Sequence, residues 1–298
     1  MVGKFLFLLA WASAVFAEDI GVTYEFSGGR FGDNLLSYLH AKWFAYERNI
    51  PLLYKSFPLS SKLKMDGEEK KLDVIATARF RVYLENGDTS QGNALYICPY
   101  FPEDPWELEH TLNAGGKAWF RFPVNWKDPG FRAAALKMIE PKGALDLILP
   151  PGGCISIAIH VREGGGHDGS EIQQMWPTKF PPIDFYIDAL RTLMHRLGGR
   201  PIYCYLFTDA REPKDIAKQI EKAVPGVTLH YRKKNNRFNA NILEDFFSLF
   251  HYDILIRSHS HFSQVPSLLH DYAAVYSLDE PGKGSWKIDE EIFQRLLR

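Results

Sequence analysis

The sequence lacks most of the features that would assign a protein to a class at once. Its three cysteines, Cys98, Cys154 and Cys204, exclude a complete disulfide framework, and no two of them have the spacing of a metal site. The 35 basic and 36 acidic side chains leave a net charge of -1, so the charge does not indicate sequence-independent binding to nucleic acid. A composition of 46% hydrophobic and 24% charged residues over 298 positions predicts a folded protein with two cores.

The apolar run at the amino terminus is too short to cross a membrane comfortably. It has 13 residues, FLFLLAWASAVFA, after Lys4, whereas a span needs about 20. Val15 and Ala17 stand where a signal peptidase requires small residues, and two acidic residues follow. The pattern predicts a signal peptide over residues 1–17 and a protein that is exported or lies in the lumen of the secretory pathway. The alternatives are a buried first element of the fold and an uncleaved anchor that associates with the membrane.

After this leader, apolar runs alternate with amphipathic helical patterns. The alternation starts as strand, helix, strand, becomes irregular, and begins again after Pro150-Pro151. This order predicts an α/β protein with two doubly wound units, 18–150 and 151–298. The predicted strands are 20–26, 50–54, 74–84, 94–98, 155–161, 203–207, 227–231 and 254–256, and the predicted helices are 34–48, 131–139, 184–197, 213–223 and 241–251.

The segment GCISIAIHVREGGG, residues 153–166, carries the most information about function. Its apolar run is typical of a buried parallel strand, and the strand opens at its carboxyl end into Arg162 and a string of glycines. Ligands of open α/β sheets bind at that end. A guanidinium offers phosphate a rigid fork of donors, and glycines let backbone amides approach. The segment therefore predicts a bound phosphate or diphosphate; the alternative is a glycine turn beside a surface ion pair.

A second glycine-bearing loop, residues 27–34, follows the first predicted strand. It lacks the first glycine of the dinucleotide fingerprint, and the next strand ends at Tyr54-Lys55 without an acidic residue for a ribose. These departures argue against a nicotinamide or flavin cofactor. Two such halves suit an enzyme that holds a nucleotide-linked donor on one half and an acceptor on the other.

Several motifs, in this order along the chain, resemble those of one enzyme group: the fucosyltransferases of GT-B type that unite the α-1,2-, α-1,6- and protein O-fucosyltransferases, similar to glycosyltransferase family 11. The resemblance implies two Rossmann-like domains that face each other across a cleft, an amino-terminal acceptor domain and a carboxyl-terminal donor domain. The motifs are Gly28-Gly29-Arg30-Phe31-Gly32 with Asn34, His160-Val161-Arg162, Leu206-Phe207-Thr208-Asp209, Glu244-Asp245-Phe246-Phe247 and Ser260-His261-Phe262-Ser263.

The resemblance implies an inverting glycosyltransferase that moves fucose from GDP-fucose to a hydroxyl of a glycan or glycoprotein, with no metal and no other cofactor. It implies catalytic roles for Arg162 and Asp33. The implied substrate-binding residues are Gly29, Arg30, Phe31, Gly32, Asn34, His160, Asp209, Glu244, Asp245, Ser260, Phe262 and Ser263.

Elementary electrostatics agrees with that reaction. Loss of GDP places negative charge on the leaving diphosphate, and stabilising such charge is usually the largest catalytic term. Some enzymes use a metal held by an Asp-x-Asp motif, which this sequence lacks. Arg162, the glycine-loop amides and the start of the helix at Ser260 can take its place. His160 either orients a phosphate or ribose or satisfies a backbone group.

The carboxylates of the motifs each have a structural alternative. Asp209 either accepts a hydrogen bond from guanine or from a ribose hydroxyl, or it caps the following helix. Glu244 and Asp245 bind ligand, or simply favour the positive end of a helix dipole. Asp33 replaces the family's usual asparagine; it contacts a sugar hydroxyl, acts as a general base with a pKa raised by a nearby phosphate, or caps the helix. Glu163 stands where many α-1,2-fucosyltransferases have a second arginine, which leaves the subclass open.

Two other functions remain open from the sequence. One is a glycan-binding protein that has kept a transferase-like cleft and lost turnover. Retention of Arg162 argues against it, because binding alone does not require stabilisation of a leaving group. The other is a GT-B transferase that uses a different nucleotide sugar.

Overall fold

The computed structural model of the chain describes residues 20–26, 28–72, 80–84, 94–100, 124–163, 174, 176–234, 236–280 and 283–298. The predicted signal peptide 1–17, most of the predicted strand 74–84 and the glycines at 164–166 lie outside the described residues.

The described helices and strands alternate along most of the chain. The strands are β1 (Gly21–Tyr24), β2 (Leu53–Tyr54), β3 (Lys70–Lys71), β4 (Phe80–Tyr83), β5 (Ala94–Cys98), β6 (Ile155–Val161), β7 (Ile202–Thr208), β8 (Leu229–Tyr231), β9 (Ile254–Arg257), β10 (Ala274–Glu280) and β11 (Lys283–Ile288). The α-helices are α1 (Phe31–Arg48), α2 (Met65–Glu68), α3 (Pro129–Ile139), α4 (Ile183–Leu197), α5 (Pro213–Ala223), α6 (Ile242–Ser248), α7 (His261–Leu269) and α8 (Glu290–Leu296), and 3₁₀ turns cover Ser60–Lys62 and Leu249–His251.

The amino-terminal part contains a parallel sheet with the strand order β1-β5-β4. Every residue of β1 and β5 is buried. Helix α1 packs beside this sheet and is buried along most of its length, with Leu35, Leu36 and Leu39 fully enclosed. Its last residue is followed by Asn49 in the left-handed conformation at φ 52, which ends the helix. The glycine loop that precedes α1 is thereby held against a rigid core.

The carboxyl-terminal part contains a six-stranded sheet with the order β11-β10-β9-β6-β7-β8. Its strands are parallel except β11, which pairs antiparallel with β10. All seven residues of the central strand β6 are buried, as expected where helices cover both faces. The register places Val161 beside Thr208 and His160 beside Arg257. The carboxyl ends of β6, β7 and β9 therefore meet at one edge.

Helices α6 and α7 connect the two parts of the molecule. Leu243 and Phe246 of α6 and Val265 and Leu269 of α7 belong to the same buried cluster as the apolar face of α1. At the closest point, a Cβ on Gly32 would lie 2.5 Å from the backbone nitrogen of Phe262, nearer than real Cβ atoms approach. Glycine at this position lets the first turn of α1 touch the first turn of α7.

The division into domains 18–150 and 151–298 stays a prediction, and α6 and α7 belong to the second of these ranges although they pack on α1. None of the helices in the described ranges combines the length and the apolar character that a bilayer crossing requires.

Candidate functional site

An open cavity lies where the carboxyl ends of β6 and β7 face the start of α1. Three segments that are distant in sequence close it: the loop before α1, the loop between β8 and α6, and the start of α7. The lining residues are Arg30, Phe31, Gly32, Asp33, His160, Arg162, Phe207, Thr208, Asp209, Arg237, Phe238, Ala240, Ile242, Asp245, Ser260 and Phe262.

Arg162 follows the last residue of β6, and its side chain lines the cavity. The Nη1 atom donates to the Oγ of Ser260 over 3.5 Å, and the guanidinium carbon lies 5.3 Å from the ring centroid of Phe180. The ring supports the flat guanidinium by a cation–π contact. Ser260 precedes the first turn of α7, so a guanidinium, a hydroxyl and a helix amino terminus lie side by side. This combination suits an anion such as phosphate.

His160 is held by α7. Its Nδ1 lies 2.8 Å from the Oγ of Ser263, and that Oγ lies 3.3 Å from the backbone carbonyl of Ser260. With the Ser263 hydroxyl donating to this carbonyl, Nδ1 donates to Ser263 and Nε2 is the acceptor nitrogen of the neutral ring. Burial, reinforced by the charges of Arg162 and Arg257, lowers the pKa of His160 to about 3. The imidazole is neutral at physiological pH.

Asp33 lies in the first turn of α1 with both carboxylate oxygens engaged. Oδ2 accepts a hydrogen bond from the backbone N–H of Arg30 at 2.9 Å, and Oδ1 accepts one from Nδ1 of His261 at 2.8 Å. The first bond satisfies an amide at the helix start. A Cβ on Gly29 would lie 2.4 Å from the Asp33 carboxyl carbon, so glycine leaves room for the carboxylate to turn back. The geometry favours the helix-cap interpretation of Asp33.

The pKa of Asp33 moves in the direction opposite to that expected for a base near phosphate. Burial raises it, but the hydrogen bond from His261 and the charges of His261, Lys179 and Arg162 outweigh burial and hold the pKa well below its usual range. Cationic groups of the protein therefore dominate around the carboxylate, and the pKa expected for Asp33 beside a bound phosphate stays a prediction.

The other predicted carboxylates differ in position. Asp209 lines the cavity, and its Oδ1 accepts from the backbone N–H of Glu163 at 2.7 Å. Asp245 also lines it and forms a 2.7 Å ion pair with Arg232. Burial raises the pKa of Asp245 to about 6, although the Arg232 pair opposes this. Glu244 is not among the lining residues; its carbonyl accepts from the Ser248 hydroxyl at 2.6 Å.

Asn34 and Ser263 support the cavity from behind rather than lining it. Asn34 is 4% exposed, and its Nδ2 donates to the carbonyl of Gly29 over 3.4 Å. Ser263 is fully buried and holds His160. The structure thus brings ten of the fourteen predicted site residues to the cavity wall. The four others are Gly29, Asn34, Glu244 and Ser263.

Sequence reasoning missed the loop between β8 and α6. Arg237 and Phe238 line the cavity, and Asn236 fixes their loop by donating from Nδ2 to the Thr208 carbonyl at 2.8 Å. The available signal was a cation and an aromatic residue in a loop that follows a parallel strand, on the edge where ligands bind. Phe180, which supports Arg162, was missed as well.

Within the described ranges, no three His, Cys, Asp or Glu side chains form a group able to hold a metal ion.

Comparison with known proteins gives a structural match and no sequence match. No protein-family model matches the chain, and no curated protein does. The fucosyltransferase NodZ from Bradyrhizobium is similar in structure, with 15% identity, a TM-score of 0.51, and coverage of 92% of this chain and 100% of that one. The predicted fold class, α/β of GT-B type, is thereby confirmed: the chain has the fold of a fucosyltransferase.

Two further solved structures are similar to the chain. One is POFUT1 in complex with GDP-fucose, at 10% identity and a TM-score of 0.45, covering 86% of this chain and 96% of that one. The other is a variant of Arabidopsis thaliana FUT1 in complex with GDP, at 12% identity and a TM-score of 0.48, covering 88% of this chain and 71% of that one.

Proposed function

We propose that the chain is a fucosyltransferase that transfers fucose from GDP-fucose to a hydroxyl of a glycan or protein, with inversion at the sugar carbon and without a metal. The observation that carries the proposal is the placement of Arg162 beside Ser260 and the start of α7, in a cavity of a protein with the fold of a fucosyltransferase.

The proposed chemistry is a single displacement. The acceptor oxygen forms a bond to the anomeric carbon on the face opposite the GDP oxygen, and the GDP oxygen leaves with the electron pair of the bond that breaks. The proton of the acceptor hydroxyl is released to water. Negative charge grows on the diphosphate as the bond breaks. The guanidinium of Arg162, the Ser260 hydroxyl and the amides of the first turn of α7 stabilise this charge, which lowers the barrier without a metal.

For Asp33 we propose a positioning role in place of a general base. Both of its oxygens accept hydrogen bonds from the protein, and its pKa lies far from neutrality. Its contacts tie the glycine loop to His261, the residue that follows Ser260. Asp33 thereby fixes the loop before α1 relative to the proposed diphosphate site.

The neutral imidazole of His160 and the carboxylate of Asp209 are the acceptors we assign to donor hydroxyls or to the edge of the guanine. With Nδ1 donating to Ser263, Nε2 of His160 is the acceptor nitrogen. Asp209 uses Oδ1 to accept from Glu163, and its Oδ2 is the oxygen we assign to the donor. We further propose that residues 18–150 bind the acceptor and residues 151–298 bind the donor.

Residues 1–17 are proposed to direct export, so that the enzyme works in the secretory lumen or beyond the membrane. The support is the apolar run followed by Val15 and Ala17. Mass spectrometry of the mature amino terminus tests this proposal, and cleavage after Ala17 is expected. An intact Met1 would contradict cleavage and would indicate a membrane anchor or a protein that is not exported.

The test of the activity combines binding with turnover. Thermal unfolding is measured with GDP, GDP-fucose, UDP, ADP and their sugar derivatives, since a ligand at 100 times its Kd stabilises by about 2.7 kcal/mol. Selective stabilisation by GDP and GDP-fucose is expected, together with release of GDP when a glycan acceptor is added. Stabilisation by another nucleotide sugar would assign a different donor. Binding without turnover on any acceptor would favour the glycan-binding alternative.

A further inference from the structure

Phe238 combines two properties that are seldom found together. It lines the cavity, and it is 43% exposed. It is also absent from the three hydrophobic clusters that form the described core. A large aromatic ring that lies outside the core and lines a cavity can stack against a ligand.

Hydrogen bonds of Asn236 and of the backbone hold the loop that carries Phe238. Asn236 donates from Nδ2 to the carbonyl of Thr208 at 2.8 Å and also to the carbonyl of Ala210. The N–H of Ala240 donates to the carbonyl of Arg237 at 3.1 Å, and Asn241 takes the left-handed conformation at φ 52. The bonds of Asn236 attach the loop to the carboxyl end of β7. The backbone that carries the ring therefore does not have to be ordered by the ligand.

A flat group already lies on this ring. The guanidinium carbon of Arg30 lies 5.4 Å from the ring centroid of Phe238. Arg30 belongs to the loop before α1, so the contact crosses the cavity from one part of the molecule to the other. The geometry shows that the ring accepts a planar partner from the cavity side.

The location along the sheet agrees with a base rather than a phosphate. Phe238 lies in the loop after β8, which Asn236 attaches to the end of β7, whereas Arg162 lies at the end of β6. The ring and the guanidinium therefore come from different strand ends of the same cavity, as a base and a diphosphate of one ligand require. Asp209 and Asp245 line the same cavity, and their carboxylates suit the N–H donors on the edge of a guanine.

We propose that Phe238 is the stacking surface for the planar base of the nucleotide donor, and that the base takes the place of the Arg30 guanidinium on the ring. The inference rests on the proposed function, because it assumes that the donor carries a base. It adds a specific binding residue from a loop that none of the recognised motifs includes.

The experiment measures dissociation constants by calorimetry for the wild type, Phe238→Ala and Phe238→Trp, with GDP, GDP-fucose, UDP and pyrophosphate. Loss of one base–aromatic stack weakens binding by about fivefold to 150-fold, so Phe238→Ala should weaken GDP by that factor. Phe238→Trp should retain affinity, and pyrophosphate should bind all three proteins equally. Tyr83→Ala is the matched control, because Tyr83 is an aromatic residue that is 48% exposed and not among the cavity residues.

Unchanged GDP affinity in Phe238→Ala, with GDP binding to the wild type, would overturn this inference alone. An equal loss for pyrophosphate would also overturn it, since the ring would then shape the loop. A loss seen for GDP-fucose and not for GDP would assign the ring to the sugar and overturn it too. If the wild type prefers another nucleotide and Phe238→Ala weakens that one, the stacking role holds and the proposed donor is wrong. If no nucleotide binds, both are wrong.

Discussion

The contact between Asp33 and His261 offers the sharpest test of how the two parts of the molecule are joined. Asp33→Ala removes one carboxylate and leaves two donors without it, the backbone N–H of Arg30 and Nδ1 of His261. The His261 side chain is 1% exposed and that of Asp33 is 22% exposed, so water cannot readily replace the lost bond. The Tyr100 hydroxyl, 3.2 Å from Nδ1, is neutral and cannot replace the charge of the carboxylate. Breaking such a buried pair costs about 3–5 kcal/mol. We expect a loss of that size in the free energy of unfolding.

Asp33→Asn separates charge from shape at the same position. Asparagine offers one acceptor oxygen where Asp33 uses two. If that oxygen accepts from Arg30, the amide NH₂ faces His261, and the imidazole must be neutral with its proton on Nε2 so that Nδ1 can accept. Both hydrogen bonds can then survive but the charge is lost, so Asp33→Asn is expected to cost about 1 kcal/mol, the difference between a hydrogen bond to a charged group and a neutral one.

The assay is urea unfolding at pH 7, with Glu140→Gln as control. Glu140 forms an ion pair with Lys64, and the two side chains are 54% and 34% exposed, so its loss should cost under about 1 kcal/mol. NMR of the His261 ring reports the proton shift. A loss below about 1 kcal/mol for Asp33→Ala, or equal losses for the alanine and asparagine variants, would contradict the assignment of the buried pair.

Four other predictions follow from the site. Arg162→Ala should raise the barrier to transfer by about 3 kcal/mol with unchanged thermal stability; near wild-type turnover would refute its role. Gly32→Ala should destabilise by about 1–3 kcal/mol because its Cβ meets the Phe262 backbone. Transfer should survive EDTA, and a loss restored by Mg²⁺ would contradict the metal-free site. Unfolded aspartate titrates near pH 4. Burial raises the pKa of the folded Asp245 carboxyl to about 6, so wild-type stability relative to Asp245→Asn should fall as pH rises between these values.

Much of the fold follows from the sequence because buried parallel strands are continuous apolar runs. The observed bounds of β5, β6 and α5 match the predicted segments 94–98, 155–161 and 213–223. The helix predicted at 34–48 begins at Phe31 instead, since Asp33 caps the Arg30 amide and lets Gly32 lie within the first turn. Strands β10 and β11 and helix α8 were not predicted.

The site was predictable where residues stand at the ends of strands. Arg162 and Asp209 directly follow apolar runs, so their place at the sheet edge follows from topology alone. Phe238 lies in a loop with no hydrophobic period, and its position depends on the bonds of Asn236 to the end of β7. Contacts of that kind join residues that no local pattern relates.

The titration of the site limits how it can accelerate transfer. A general base is most effective when its pKa lies near the working pH. The pKa of Asp33 is held well below its usual range, and that of His160 is lowered to about 3. Neither group is tuned to accept a proton at neutral pH, and Asp245, whose pKa burial raises to about 6, is held in an ion pair with Arg232. In the proposed reaction, stabilisation of the leaving diphosphate therefore carries most of the barrier reduction. Arg162→Ala should therefore reduce transfer more than Asp33→Asn does; the reverse order would return the role of base to Asp33.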